Sequence, residues 1–436
     1  MNVMGFDQNR NLEFFKPEEI RKVQEALFQK HVRYLASQSP YYRVLFKAQG
    51  IDAAQITMNT LHHLPFTDKT ALGQHDDQFL AAPRSAIVDM VLSSGTTGKP
   101  TTMMYTENDL QRLAYNEEIS FASCGLTKDD VVLLTCTIDR CFIAGLAYFS
   151  GVRSLGAAAI RNGLSSVESH LDVIQRLKPT VIVGVPSFLL KLGRFIQSQA
   201  IDPHATGVRK LVCIGEPIRN RSLAFLKLGE DLEEIWGANI YSTYASSETI
   251  TSFCECTAQQ GGHLHPDLGI VEIVNDQGDV LPPGEEGEVV MTPLQIEGMP
   301  LLRFRTGDVS FIVDGPCACG RNSPRLGPLL GRKKQMIKFR GTTLYPNSIF
   351  AVLDSFPGIS EYYVTATSDY DLSDRVKAHV AIKDGSCTAQ TIGDKLQAHL
   401  RVRPEVIVSS ETEIKGVVFA GNSRKPIRFI DERKSL

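Results

Sequence analysis

VVLLTCT (131–137), AAAI (157–160), TVIVG (180–184), KLVCIG (210–215) and NIYSTYA (239–245) are short apolar runs following one another along a single stretch of chain. The gaps between them read as helices. An apolar helix runs through Leu155, and SVESHLDVIQRLK (166–178) opens on a capping serine. Further helices run to about residue 198 and between the last two strands. Strand and helix alternating in this way predict a mainly parallel sheet covered by helices, an α/β fold.

Working outward, residues 12–50 carry Leu12, Ile20, Val23, Leu27, Val32 and Leu35 at roughly helical spacing and are expected to be helical. After residue 260 the pattern changes to shorter strands and turns, VEIVN, DQGD, LPPGEEGEVVMTP and FRTGDVSFIV, which predict an antiparallel β-rich section. Beyond Gly331, PNSIFAVLDSF reads as a helix, EYYVTAT and VKAHVAI as strands, 390–401 as a helix and EVIVSS as a strand. The expected organisation is a large N-terminal domain, 1–331, with helix-covered sheets and a β-rich section. A small α+β domain, 332–436, follows it.

Composition narrows the function. The 436 residues include 46 Lys+Arg against 49 Asp+Glu, a net charge of -3, with 43% hydrophobic and 22% charged residues. That near-neutral balance offers no general electrostatic case for nucleic acid or an anionic membrane as a partner. No apolar stretch approaches the ~20 residues of a bilayer span. The opening MNVMGFDQNRNLEFF does not read as a signal peptide. An odd number of cysteines, nine, scattered along a long chain fits reduced thiols and a cytoplasmic location.

The strongest local signal is Ser93-Ser94-Gly95-Thr96-Thr97-Gly98-Lys99-Pro100-Thr101, directly after IVDMVL. Its glycines allow backbone amides close to an anion, and its hydroxyls add donors, so a polyphosphate is the natural guest. The Walker A spacing is absent. The chain then carries, in order, GEP (215–217), YASSE (244–248), FRTGD (304–308), GRKKQMIKFRG (331–341) and SRKPIRFID (423–431).

This ordered set resembles the adenylate-forming superfamily of acyl-CoA synthetases, adenylation domains and luciferases. SPYYRVLFKAQGI, LPFTDKTAL and CACGR are most similar to the phenylacetate–CoA ligase family within it. The resemblance implies ATP, Mg²⁺ and coenzyme A as the small molecules handled, together with a carboxylic acid. Residues 93–98 would hold the β- and γ-phosphates. Gly215, Glu216 and Pro217 would line the adenine pocket, with Tyr244 stacking on the ring and Ala245 beside it. Ser247 would contact the α-phosphate, Glu248 would ligate Mg²⁺, and Asp308 would accept from the ribose hydroxyls, with Arg332 nearby.

Lys425 would neutralise charge developing as the acid attacks the α-phosphorus. The small domain would be mobile, pivoting at Lys334, and Lys338 and Gly341 would lie on the face used in thioester formation. Two departures stand out: Lys334 where close relatives commonly have Asp, and Ala245 where Gly is usual. Phe142, Ala144, Gly145, Tyr148 and Ala245 are candidate walls for an aryl or arylacetic acid.

The expected product is therefore a CoA thioester formed through an acyl-adenylate, with AMP and pyrophosphate released. The alternatives are loading of a carrier protein or amine, and a non-catalytic nucleotide-binding relative; a homodimer stays open as the assembly. Separately, Cys256, His263, Cys317 and Cys319 form a candidate structural zinc set, with Cys254 or His265 as substitutes.

Overall fold

The computed structural model describes residues 5–93, 101–339, 342–368, 374–383, 385–419 and 426–433. The chain divides into two compact units, one of residues 1–306 with 310–329, the other of 307–309 with 330–436.

All five expected strands enter one six-stranded sheet in the first unit. Its order is Ala158–Arg161, Val131–Leu134, Val181–Gly184, Lys210–Ile214, Asn239–Ser246 and Thr251–Cys254. The first five strands are parallel and the last is antiparallel. Successive side chains of a strand point to opposite faces. Here both faces are covered. Leu133, Ile182, Leu211 and Ile240 pack beneath the helices Val167–Leu177, Pro186–Ser198 and Lys227–Trp236. Val132, Val181, Val183 and Val212 face the other way, towards Phe121, Tyr148 and Val152 of the helices Glu107–Ser123 and Ile143–Leu155. This is why the runs read as continuously apolar. Ser166 caps its helix as expected, accepting from the Ser169 amide.

The N-terminal stretch differs from the single helical reading. A short 3-10 turn, Leu12–Phe14, precedes two helices, Pro17–Gln38 and Pro40–Gln49. Pro40 lacks an amide proton and pushes Ser39 into extended backbone, φ -80 and ψ 118, so the periodic pattern continues while the helix does not.

The β-rich section forms a second sheet in which Gly269–Val274, Gly287–Pro293, Phe304–Ser310 and the two-residue Thr67–Asp68 are neighbours. The first pair is antiparallel, but Thr67–Asp68 runs parallel to Phe304–Ser310, so the section is not purely antiparallel. The second unit has its own core around a four-stranded sheet, ordered Glu405–Val408, Asp374–Ile382, Ile359–Ser368 and Phe429–Asp431. The helices Pro346–Asp354 and Ala389–Leu400 match their sequence patterns; Glu411–Val418 and the strand Phe429–Asp431 were not anticipated.

Candidate active site

In an open parallel sheet the loops that leave the carboxyl ends of the strands gather at one edge, and ligands bind there. The register of this sheet pairs Ile214 with Thr243, so the segments that follow, Gly215-Glu216-Pro217 and Tyr244-Ala245, emerge side by side. Gly215 takes φ +75, a left-handed conformation that suits glycine. Glu216 accepts from both the amide and the hydroxyl of Ser187, each at 2.9 Å, and so satisfies the first turn of the helix Pro186–Ser198. The Tyr244 ring stacks on Phe253, its antiparallel neighbour, with centroids 6.4 Å apart and an interplanar angle of 10°.

The serine-threonine-glycine segment springs from a hairpin of Ile87–Leu92 and Thr102–Thr106. The Ser93 amide donates to the Thr101 carbonyl at 2.9 Å, and the Leu92 amide donates to the Cys141 carbonyl at 2.8 Å. Ser93 itself is buried. Ser94, Gly95, Thr96, Thr97 and Gly98 lie outside the described residues. One strand of this hairpin is tied to the YASSE segment, for the buried Tyr105 hydroxyl donates to the Ser247 carbonyl at 3.0 Å. Burial and the neighbouring Glu248, Asp109 and Asp89 carboxylates push that phenol well above its ordinary range, so it remains a donor.

Glu248 is buried. Its Oε2 accepts from the Ser246 hydroxyl at 3.1 Å, and its Oε1 pairs with the Lys69 ammonium at 2.7 Å. Neither Lys69, within LPFTDKTAL, nor Tyr105 carries a sequence signal for such a contact. No spacing in the chain links either residue to YASSE, so only the tertiary contacts reveal them.

At the proposed acid pocket, Gly145 opens the helix Ile143–Leu155 so close to the preceding loop that a Cβ would lie 2.3 Å from the Thr137 carbonyl oxygen. Phe142 and Ala144 are half-buried, Ala245 is exposed, and Tyr148 is buried in the core cluster with Phe121. In the second unit Asp308 pairs in register with Arg332, and their side chains form an ion pair at 3.2 Å. The Lys334 carbonyl accepts from Arg433 at 3.3 Å, and the Lys338 amide donates to Asp374 at 2.7 Å. Gly341 and Lys425 lie outside the described residues.

The cysteine–histidine set converges. Gly262–His263 pairs antiparallel with Arg325–Leu326, which draws CACGR beside the turn holding Cys256. Donor atoms of Cys256, His263, Cys317 and Cys319 all lie within 4.8 Å of one another. The Cys256 and Cys317 sulfurs are 3.6 Å apart, and Cys319 Sγ is 3.3 Å from His263 Nε2. His263 Nδ1 lies 3.1 Å from both the carbonyl and the hydroxyl oxygen of Ser323, which orients the ring. Burial lowers its pKa to about 4, leaving a neutral imidazole. The two substitutes are engaged elsewhere. His265 contacts Glu13 and, at 3.1 Å, Ser120, while Cys254 faces the core.

The sequence profile of the AMP-binding enzyme family matches residues 24–296, more than half of the chain. The chain belongs to the AMP-binding enzyme family. The phenylacetate-coenzyme A ligase of Thermus thermophilus is 33% identical over 358 residues, 81% of this chain and 79% of that protein. The enzyme of the same name from Escherichia coli is 26% identical over 383 residues, 85% and 84% of the two chains. Among solved structures, 2-hydroxyisobutyryl-CoA ligase in its postadenylation state with R3-HIB-AMP has a TM-score of 0.84. That likeness spans 99% of this chain and 94% of the other at 20% identity, and it is one of fold. This AMP-binding enzyme is an AMP-forming acid–CoA ligase of the phenylacetate–CoA ligase group.

Proposed function

We propose that this ligase joins an aryl or arylacetic acid, phenylacetate-like in size, to coenzyme A. The observation that carries the reading is the meeting of separate segments in the first unit. GEP and YASSE leave neighbouring strand ends, and Tyr105 ties the phosphate hairpin to YASSE. The names of the phenylacetate-coenzyme A ligase relatives support the substrate class.

No protein nucleophile is needed, so catalysis rests on alignment and charge neutralisation. The acid carboxylate attacks the α-phosphorus and pyrophosphate leaves. Residues 93–98 cradle the β- and γ-phosphates, Tyr244 stacks on adenine beside Glu216 and Pro217, and Ser247 contacts the α-phosphate. The carboxylate of Glu248 is a hard oxygen ligand suited to Mg²⁺, which supplies neutralisation of phosphate charge when bound. Asp308 and Arg332 serve the ribose side. Lys425 compensates the charge developing at the α-phosphate. Residues 332–436 then act as a lid pivoting at Lys334, bringing Lys338 and Gly341 to the thioester step, in which the CoA thiolate attacks the adenylate carbonyl and expels AMP. Phe142, Ala144, Gly145, Tyr148 and Ala245 border the acyl group.

Cys256, His263, Cys317 and Cys319 fit a structural Zn²⁺. The set is closed, all nitrogen and sulfur, and its histidine is oriented by a further hydrogen bond. The reduced thiols this requires accord with a cytoplasmic setting.

The decisive assay measures AMP release with and without CoA across a panel of carboxylic acids. CoA-dependent release with phenylacetate or close aryl acids is expected. Release that requires a carrier protein or amine instead, or none with any acid, rejects the proposal.

A further inference from the structure

Lys69 is the residue whose surroundings the proposed mechanism leaves unexplained. Its ammonium lies 2.7 Å from Glu248, whose side chain is only 7% exposed, whereas Lys69 keeps 29% of its own surface open. An ordinary surface ion pair contributes little and is mobile, but this one is held from both sides. Thr67–Asp68 is registered against Phe304 and Arg305, and Asp68 accepts from the Ala71 amide at 2.8 Å, which fixes where the chain turns into Lys69–Gln74. Along that turn Gly73 faces the base of the phosphate hairpin, where a Cβ would stand 3.8 Å from Thr101 Oγ1. The ammonium therefore belongs to a segment packed between the proposed metal-binding carboxylate and the residue that closes the serine-threonine-glycine segment.

We propose that Lys69 is a nucleotide-binding residue that changes partners, neutralising Glu248 before ATP arrives and then holding the β,γ-phosphate end of the nucleotide. The inference rests on the AMP-forming reading above. A buried carboxylate without a counter-ion is costly; the Lys69 ammonium supplies one and holds the Glu248 side chain in place. With magnesium nucleotide bound, Glu248 would serve as a ligand of the divalent cation, which would take over the neutralisation of its charge. The released cation meets a polyphosphate whose charge the metal only partly offsets. A flexible lysine stem suits such a transfer between anions.

The test compares Lys69→Gln and Lys69→Arg with the wild-type enzyme. Calorimetric titration with a non-hydrolysable ATP analogue, inorganic pyrophosphate and AMP is the primary readout. Lys69→Gln is expected to weaken the ATP analogue and pyrophosphate at least tenfold and to leave AMP unchanged, with Lys69→Arg recovering part of the loss. Acid-dependent ATP–pyrophosphate exchange should fall in parallel, with the KM for the acid unmoved. Thioester formation from supplied acyl-adenylate should stay near wild type. Equal weakening of ATP and AMP would mean a structural role, and undiminished pyrophosphate binding would exclude a phosphate contact; either overturns the inference. If the wild-type enzyme itself exchanges pyrophosphate with no acid, the functional reading fails instead.

Discussion

Glu117 lies in the helix Glu107–Ser123, where its Oε1 accepts from the Ser252 hydroxyl at 2.8 Å. Its Oε2 is buried without a hydrogen-bond partner among the described residues. Burial raises this carboxyl from 4.5 to about 7. Between those two values the folded chain holds a proton that the unfolded chain has released. The stability Glu117 contributes is therefore full below the unfolded value and is lost as pH rises through about 7. Glu117→Gln, which mimics the protonated form, should match wild type in urea unfolding at pH 5. At pH 8 it should be more stable by up to about 3 kcal/mol. A parallel pH dependence in both proteins would show that Glu117 does not titrate in this range. Nothing in the sequence marks this glutamate.

At the scale of elements, the Tyr105 phenol joins the hairpin of Ile87–Leu92 and Thr102–Thr106 to Ser247, just past the strand Asn239–Ser246. Tyr105→Phe removes one buried hydrogen bond and should cost about 1 kcal/mol of stability. Its effect on pyrophosphate exchange should be larger, roughly tenfold to a hundredfold, because displaced phosphate ligands misalign the reacting groups. Unchanged exchange would mean that the hairpin is positioned without Tyr105. The pairing of Gly262–His263 with Arg325–Leu326 has a comparable consequence. Elemental analysis should find zinc at one per chain, as four converging donors require. Cys256→Ser should hold less metal and unfold at a lower temperature. Zinc-free wild-type protein with unaltered stability would eliminate the metal. The inner strands Val131–Leu134, Val181–Gly184 and Lys210–Ile214 were legible because they are buried on both faces, but the break at Ser39-Pro40 was obscured by apolar spacing that runs through it.

For the whole molecule, the chain divides into two compact units with separate cores, and the lid role proposed for the second is testable through Lys425. Lys425→Ala should lower pyrophosphate exchange by roughly 10²–10³, the scale of losing one charge-stabilising group, and should retain thioester formation from supplied acyl-adenylate. Normal exchange in that variant would remove Lys425 from the adenylation step. By itself the sequence determined the alternation of strand and helix and the change to β structure after residue 260. It also offered Cys256, His263, Cys317 and Cys319 as a set, with Cys254 or His265 as substitutes, among which the tertiary structure chose the first four. These are properties of local composition and spacing, which a chain carries before it folds. Tertiary structure alone decided that Glu216 caps a helix, that Asp308 pairs with Arg332, and that Lys69 meets Glu248. Those contacts join residues far apart along the chain, and only strand register and packing choose which of many compatible partners each charge finds.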